Sequence, residues 1–130
     1  MNITRVHLWF GIAIVASWLI VCLWALILRL RKRDRAPGFW RAVSVAQVLL
    51  VIQLLLGIGL FLAGRRPGSG GTYTNSFHTL YGFVFPALVL FFSHKWARED
   101  RRHPFAVFAF AGLVIMALAM RAFMVGVVGT

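Results

Sequence analysis

The chain has 130 residues, 61% of them hydrophobic and 13% charged, with a formal net charge of +11. Soluble domains are about half apolar and about a quarter charged, so an ordinary water-soluble fold is excluded. So is intrinsic disorder, which needs low hydrophobicity. Four membrane spans of about 20 residues each would use nearly the whole length, leaving these residues no stretch for a catalytic domain folded in water.

Taken in chain order, the first apolar run covers 6–28 and carries Trp9, Trp18, Trp24 and the single cysteine, Cys22. It is too long for a signal-peptide core, and Arg29, Arg31, Lys32, Arg33 and Arg35 follow it, a stop-transfer pattern. The second run covers 42–63 and contains Gln47, Gln53, Gly57 and Gly59. A Gly/Ser/Thr-rich connection, 64–75, with Pro67, Gly68, Gly70 and Gly71 as turn formers, leads to the third run, 77–96. The fourth covers 105–128. Backbone groups in lipid must be satisfied within their own segment, and strand-like alternation is absent. The expectation is therefore one all-α domain over 1–130, a four-helix transmembrane bundle.

Fourteen Lys and Arg against three Asp and Glu would suit a nucleic-acid binder if they formed one face. They lie instead at the ends of the apolar runs, where they meet lipid headgroups, and the loops are too short to dock on a duplex; no nucleic-acid partner is expected. The connections after the first and third runs hold ten of them: Arg29, Arg31, Lys32, Arg33, Arg35, Arg41, Lys95, Arg98, Arg101 and Arg102. The opposite side holds four: Arg5, Arg65, Arg66 and Arg121. The positive-inside rule puts the ten-residue side in the cytoplasm and both termini outside, as in a multi-pass protein of a bacterial inner membrane. All three carboxylates, Asp34, Glu99 and Asp100, share the basic side. Cys22 reads as packing, since neither a haem-attachment nor a zinc spacing is present.

Polar side chains inside a span need a partner or a purpose; here they are His7, Gln47, Gln53, His78, His94 and Arg121. At about 1.5 Å of rise per residue, His78 lies roughly 25 Å above Lys95 and Arg121 roughly 27 Å above His103. His7 lies roughly 33 Å above Arg29, about a turn and a half higher than His78. Gln53 falls near mid-membrane, roughly 18 Å above Arg41. Two histidines and an arginine thus gather in the outer third. His7-Leu-Trp-Phe-Gly11 and His78-Thr-Leu-Tyr-Gly82 form a short repeat opening two parallel helices.

Facing histidines in a bundle can hold haem iron through both axial positions. A glycine four residues after each lies on the same helix face and would let a flat ring approach the backbone. Trp9, Phe10, Phe77 and Tyr81 would surround the ring, and Arg121, Arg65 or Arg66 would pair with its propionates. The same histidines also read as unliganded interfacial residues, or as contacts to a quinone or other ligand. His94 and His103 read as headgroup contacts, and Gln53 with Gly57 as a helix-packing pair.

The stretch Gln53-Leu-Leu-Leu-Gly57, through Gly64 and Gly68-Ser-Gly-Gly71 to His78-Thr-Leu-Tyr-Gly82, resembles one half of a haem A synthase. The His-x-x-x-Gly start of the first helix resembles it too. The resemblance implies a four-helix haem-binding bundle with His7 and His78 as the axial pair. It covers about 30 residues closely and the remainder in layout; that family joins two such halves in one chain. The layout is also similar to small membrane cytochromes of the b561 type, which carry a second histidine pair towards the other face. With no intramembrane partner for His94 visible in the sequence, one haem b is expected.

Two functional expectations follow. One is a b-type membrane haem protein with His7 and His78 on the iron and Gly11, Gly82 and Arg121 around the ring. It would carry electrons alone or as a subunit of a respiratory or photosynthetic complex. The other is a cofactor-free accessory subunit using Gly11, Gly57, Gly59, Gly82, Ala111, Gly112, Ala117 and Ala119 for close helix contacts. Both place the chain in the lipid bilayer beside other membrane subunits or a second copy of itself. Neither assigns a catalytic residue. Transport is the weaker third, because no acidic residue lies within a span.

Overall fold

The computed structural model describes residues 2–68, 70–99 and 102–128. Ser69 of the second connection, and Asp100 and Arg101 of the third, lie outside the described residues. The described chain is all-helical: α1 (Ile3–Leu30), α2 (Pro37–Leu62), α3 (Thr72–Arg98) and α4 (Pro104–Val128). All four are long and apolar enough to cross a membrane.

Three helices begin earlier than hydrophobicity alone suggested. At α1, Asn2 caps the helix by accepting from the Thr4 backbone N–H at 3.0 Å, which draws Arg5 and His7 well inside the first turns. At α2, Pro37 supplies a helical φ at the start, where its missing N–H costs nothing, so Arg41 is helical rather than part of the connection. At α3, polar Thr72–Asn75 is helical, not loop as read from composition, because this end packs on α4 and buries Thr74. The preceding loop is tied down by the Gly68 N–H, which donates to Gly126 O at 2.8 Å.

The helix ends follow from capping. Past α2, the Gly64 N–H reaches Phe61 O and the Arg65 N–H reaches Leu60 O, closing a Schellman turn on Gly64 at φ 80°. Past α1 the same pair of bonds forms, Lys32 to Arg29 O and Arg33 to Leu28 O, but the left-handed position holds Lys32 at φ 52°. Within α3, Leu80–Val84 is one π turn, in which the Phe85 N–H reaches back five residues to Leu80 O. Pro86 follows; it lacks the N–H for the Gly82 carbonyl and would press its ring against it, and a wider turn relieves both problems.

The closest packing is α1 on α4 and α3 on α4, then α1 on α2. A Cβ at Gly112 of α4 would fall 2.9 Å from Cys22 N and 3.0 Å from Trp18 O, so only glycine permits these backbones to meet. Fully buried side chains line one stripe of α1 (Ile14, Trp18, Val21, Ala25), one of α2 (Phe39, Val43, Ala46) and one of α4 (Phe105, Phe108, Ile115). Their spacing of three and four residues is that of a bundle seam. This dense core fills the half of the bundle near the α1–α2 and α3–α4 connections. The opposite faces expose Ile20, Leu23, Val48, Leu55, Phe91 and Phe110, an apolar exterior suited to lipid rather than water.

Candidate functional site: a polar node among α1, α2 and α3

Above the core, near both termini, the polar side chains of the spans meet. His7 of α1 and His78 of α3 have ring centroids 6.1 Å apart and planes inclined at 55°. Their equal level removes the turn and a half of offset obtained by counting from the basic ends. Helices of unequal reach, one with a π turn, do not start from a common plane.

The His78 ring is held firmly. Its Nδ1 lies 2.9 Å from Ala122 O, and since a carbonyl only accepts, Nδ1 donates. That reach depends on Gly126. A Cβ there would fall 2.9 Å from His78 Cε1 and 3.0 Å from Nδ1, so a side chain at 126 would push the ring off the carbonyl.

His7 is held loosely. The Gln53 amide Nε2 donates to His7 Nε2 at 3.4 Å, near the limit of a hydrogen bond. Among the described residues three buried side-chain polar atoms lack a partner, and two of them, His7 Nδ1 and Gln53 Oε1, belong to this contact. Turning the amide over exchanges its atoms but still leaves one of them, and His7 Nδ1, unmet. A buried unmet polar atom costs roughly 1–3 kcal/mol, so this contact is less well satisfied than the one at His78.

Glycines set the register of both hairpins. His7 lies against Gly57, whose absent Cβ would stand 3.3 Å from His7 Cε1, while Gln53 lies against Gly11 at 3.5 Å. In the second hairpin His78 lies against Gly126, and Ala122 against Gly82 at 3.5 Å. The repeat seen in α1 and α3 therefore extends to α2 and α4, as Gln53-x-x-x-Gly57 and Ala122-x-x-x-Gly126. Gly126 and the Ala122 carbonyl were not singled out in the sequence; their four-residue spacing, matching Gln53 and Gly57, was the available signal. The space at Gly11, expected to admit a flat ring, is taken by Gln53 and Phe123, and that at Gly82 meets Ala122.

The remaining expected site residues are spread around the node. The Arg121 guanidinium carbon lies 5.8 Å from the Tyr81 ring centroid, at the middle of an aromatic ladder Tyr73–Phe77–Tyr81–Phe85 along α3. Arg66 turns back on α2, donating to Phe61 O and Arg65 O and stacking on Phe61 at 3.9 Å. Trp9, expected around the ring, is 64% exposed and points outward. Towards the other end His94 has the intramembrane partner the sequence did not reveal. The Gln47 amide donates to His94 Nε2 at 2.6 Å, and the His94 ring stands edge-on to Phe108. A headgroup contact is thus replaced by an interhelical hydrogen bond.

The described residues hold no group of three or more His, Cys, Asp or Glu able to enclose a metal ion. A histidine pair does not make such a cage, and it suits a metal whose other ligands come from a macrocycle. Two metal–imidazole bonds of about 2 Å each, with half a ring behind each nitrogen, separate ring centroids by roughly 6 Å. The His78 Nδ1–carbonyl bond is the support that ligand histidines usually have. By fold and site the chain is a four-helix protein of the multi-pass membrane type with a half-buried His–Gln–His node. Comparison with known families, with curated proteins and with solved structures gives no match to it.

Proposed function

We propose that the chain is a membrane-embedded b-type haem protein in which His7 and His78 hold one haem near the outer face. The observation that carries this reading is the separation of the two imidazoles, 6.1 Å, brought together from α1 and α3 in an otherwise apolar bundle. His78 offers Nε2 while the Ala122 carbonyl keeps its tautomer, and His7 offers a nitrogen whose present partner is distant. Arg121, stacked near Tyr81, is the outer-side cation nearest to a propionate's role. When bound, the haem would supply one-electron redox chemistry; the residues set its potential through ligation, burial and nearby charge. One haem near one face does not carry an electron across the whole bilayer, so another membrane subunit, or a second copy of the chain, completes the path. Ten basic residues on one side and four on the other support a cytoplasmic position for the first.

The similarity of Gln53–Gly57 and His78–Gly82 to half a haem A synthase points to the same binding chemistry. With every carboxylate on the far side, it lends no support to synthase activity. The accessory-subunit reading rests on glycines free to meet a partner. Gly11, Gly57, Gly82 and Gly112 all face side chains or backbone of this same chain, and Gly59 alone of that set of glycines opens outward.

The test is the reduced-minus-oxidised spectrum of protein purified in mild detergent after expression with ample haem. Sharp low-spin b-type bands at about one haem per chain, lost in H78A, are expected. An absent Soret band in the parent, or an unchanged one in H78A, overturns the reading.

A further inference from the structure

The two hairpins share one register but differ at one position, and the difference falls at the node. Gly126 exposes the Ala122 carbonyl sideways, and the His78 ring takes it at 2.9 Å. The equivalent glycine in the first hairpin is Gly57. There His7 meets no carbonyl: Gln53, at the position of Ala122, offers its side-chain amide at 3.4 Å instead. His78 is thus fixed by a backbone atom that cannot move away, behind a notch too tight for a methyl group. His7 is steadied by a flexible side chain, with a ring nitrogen unmet.

Resting on the haem reading above, we propose that the two histidines are unequal: His78 would hold the metal permanently and His7 exchangeably. Gln53 would hold the His7 nitrogen when His7 is not on the metal, leaving the α1 side for a small neutral ligand. The argument is a competition for one nitrogen. His78 makes its hydrogen bond at Nδ1, which leaves Nε2 for the metal and strengthens the ring as a ligand. On His7 the hydrogen bond is made at Nε2, so Gln53 must leave that atom before it can ligate, or His7 must turn to use Nδ1. Gln53 occupies the space over Gly11 and so stands beside the ligand that would leave.

The experiment uses haem-loaded full-length protein in detergent, with carbon monoxide as the probe. The parent is read first, then H7A, H78A, G126A and Q53L, with helix content by circular dichroism as a control for folding. The expected parent is low-spin, and its reduced form binds carbon monoxide. H7A keeps close to one haem per chain, becomes high-spin and binds carbon monoxide at least tenfold faster. H78A and G126A lose haem. Q53L removes the amide that competes for His7 and lowers the affinity for carbon monoxide roughly fivefold, the worth of one neutral hydrogen bond. Equal haem loss in H7A and H78A, or a reduced parent that refuses carbon monoxide, overturns the inequality while a haem-bearing parent leaves the haem reading standing. A parent without haem overturns both. If H78A unfolds, G126A decides, because haem retained there with unchanged bands also overturns the proposal.

Discussion

Gln47 and His94 show what one side-chain pair contributes inside a bundle. Their 2.6 Å contact joins α2 to α3, whose backbones are not among the closest-packed pairs. Hydrogen bonds between membrane helices are worth about 0.6 kcal/mol on average and rarely exceed about 1.7, because the unfolded chain in lipid also finds partners. Q47L, H94L and the double variant, unfolded by denaturant in detergent, are expected to give a coupling energy in that range. A coupling near zero would mean that the two polar groups find other partners once separated. No spectral change should accompany Q47L, since the pair stands at the opposite end from His7 and His78. Both glutamines were conspicuous in the sequence as polar residues in apolar runs, but nothing local to α2 says that one meets α1 and the other α3.

At the level of elements, two backbone features carry separable consequences. Lys32 holds the left-handed position that ends α1, where any Cβ costs roughly 1 kcal/mol and glycine costs nothing. K32G should therefore raise stability by about 1 kcal/mol and leave the site unchanged, read as a higher unfolding midpoint. Pro86 acts at a distance. The π turn it enforces adds a residue to one turn, so restoring a regular helix would rotate Thr72–Thr79 by about 100° about its axis. In P86A the helix gains a hydrogen bond and loses a clash, so the unfolding midpoint should hold or rise. His78, turned away from Ala122, should lose haem. An unchanged spectrum in P86A would mean that packing of α3 on α4, not Pro86, maintains the π turn.

The whole molecule has its dense core near the basic connections and its polar node near the termini. Such a division sets the densest packing apart from the polar node. It also fixes which face of the membrane the node serves once orientation is known. Cysteines introduced at Arg33 and Tyr73, in a C22A background, separate the two sides in intact cells. A membrane-impermeant thiol reagent should label Y73C directly and R33C only after the membrane is opened. The reverse pattern would place the node on the cytoplasmic side.

Four helices, the residues within them that are costly in lipid, and the division of charge between the two ends can all be read from the order of residues. These follow from composition and from where Arg and Lys stop an apolar run, both local properties. Helix starts were less legible, because Asn2, Pro37 and the polar turn at Thr72 extend helices past the edge of hydrophobicity. Packing between helices is what sets Gln53 against Gly11, His7 against Gly57, His78 on the Ala122 carbonyl through the notch at Gly126, and His94 on Gln47. Each depends on the rotation and slide of one helix against another. In a chain whose helices are apolar nearly all round, no polar stripe sets that rotation; glycines of closest approach do.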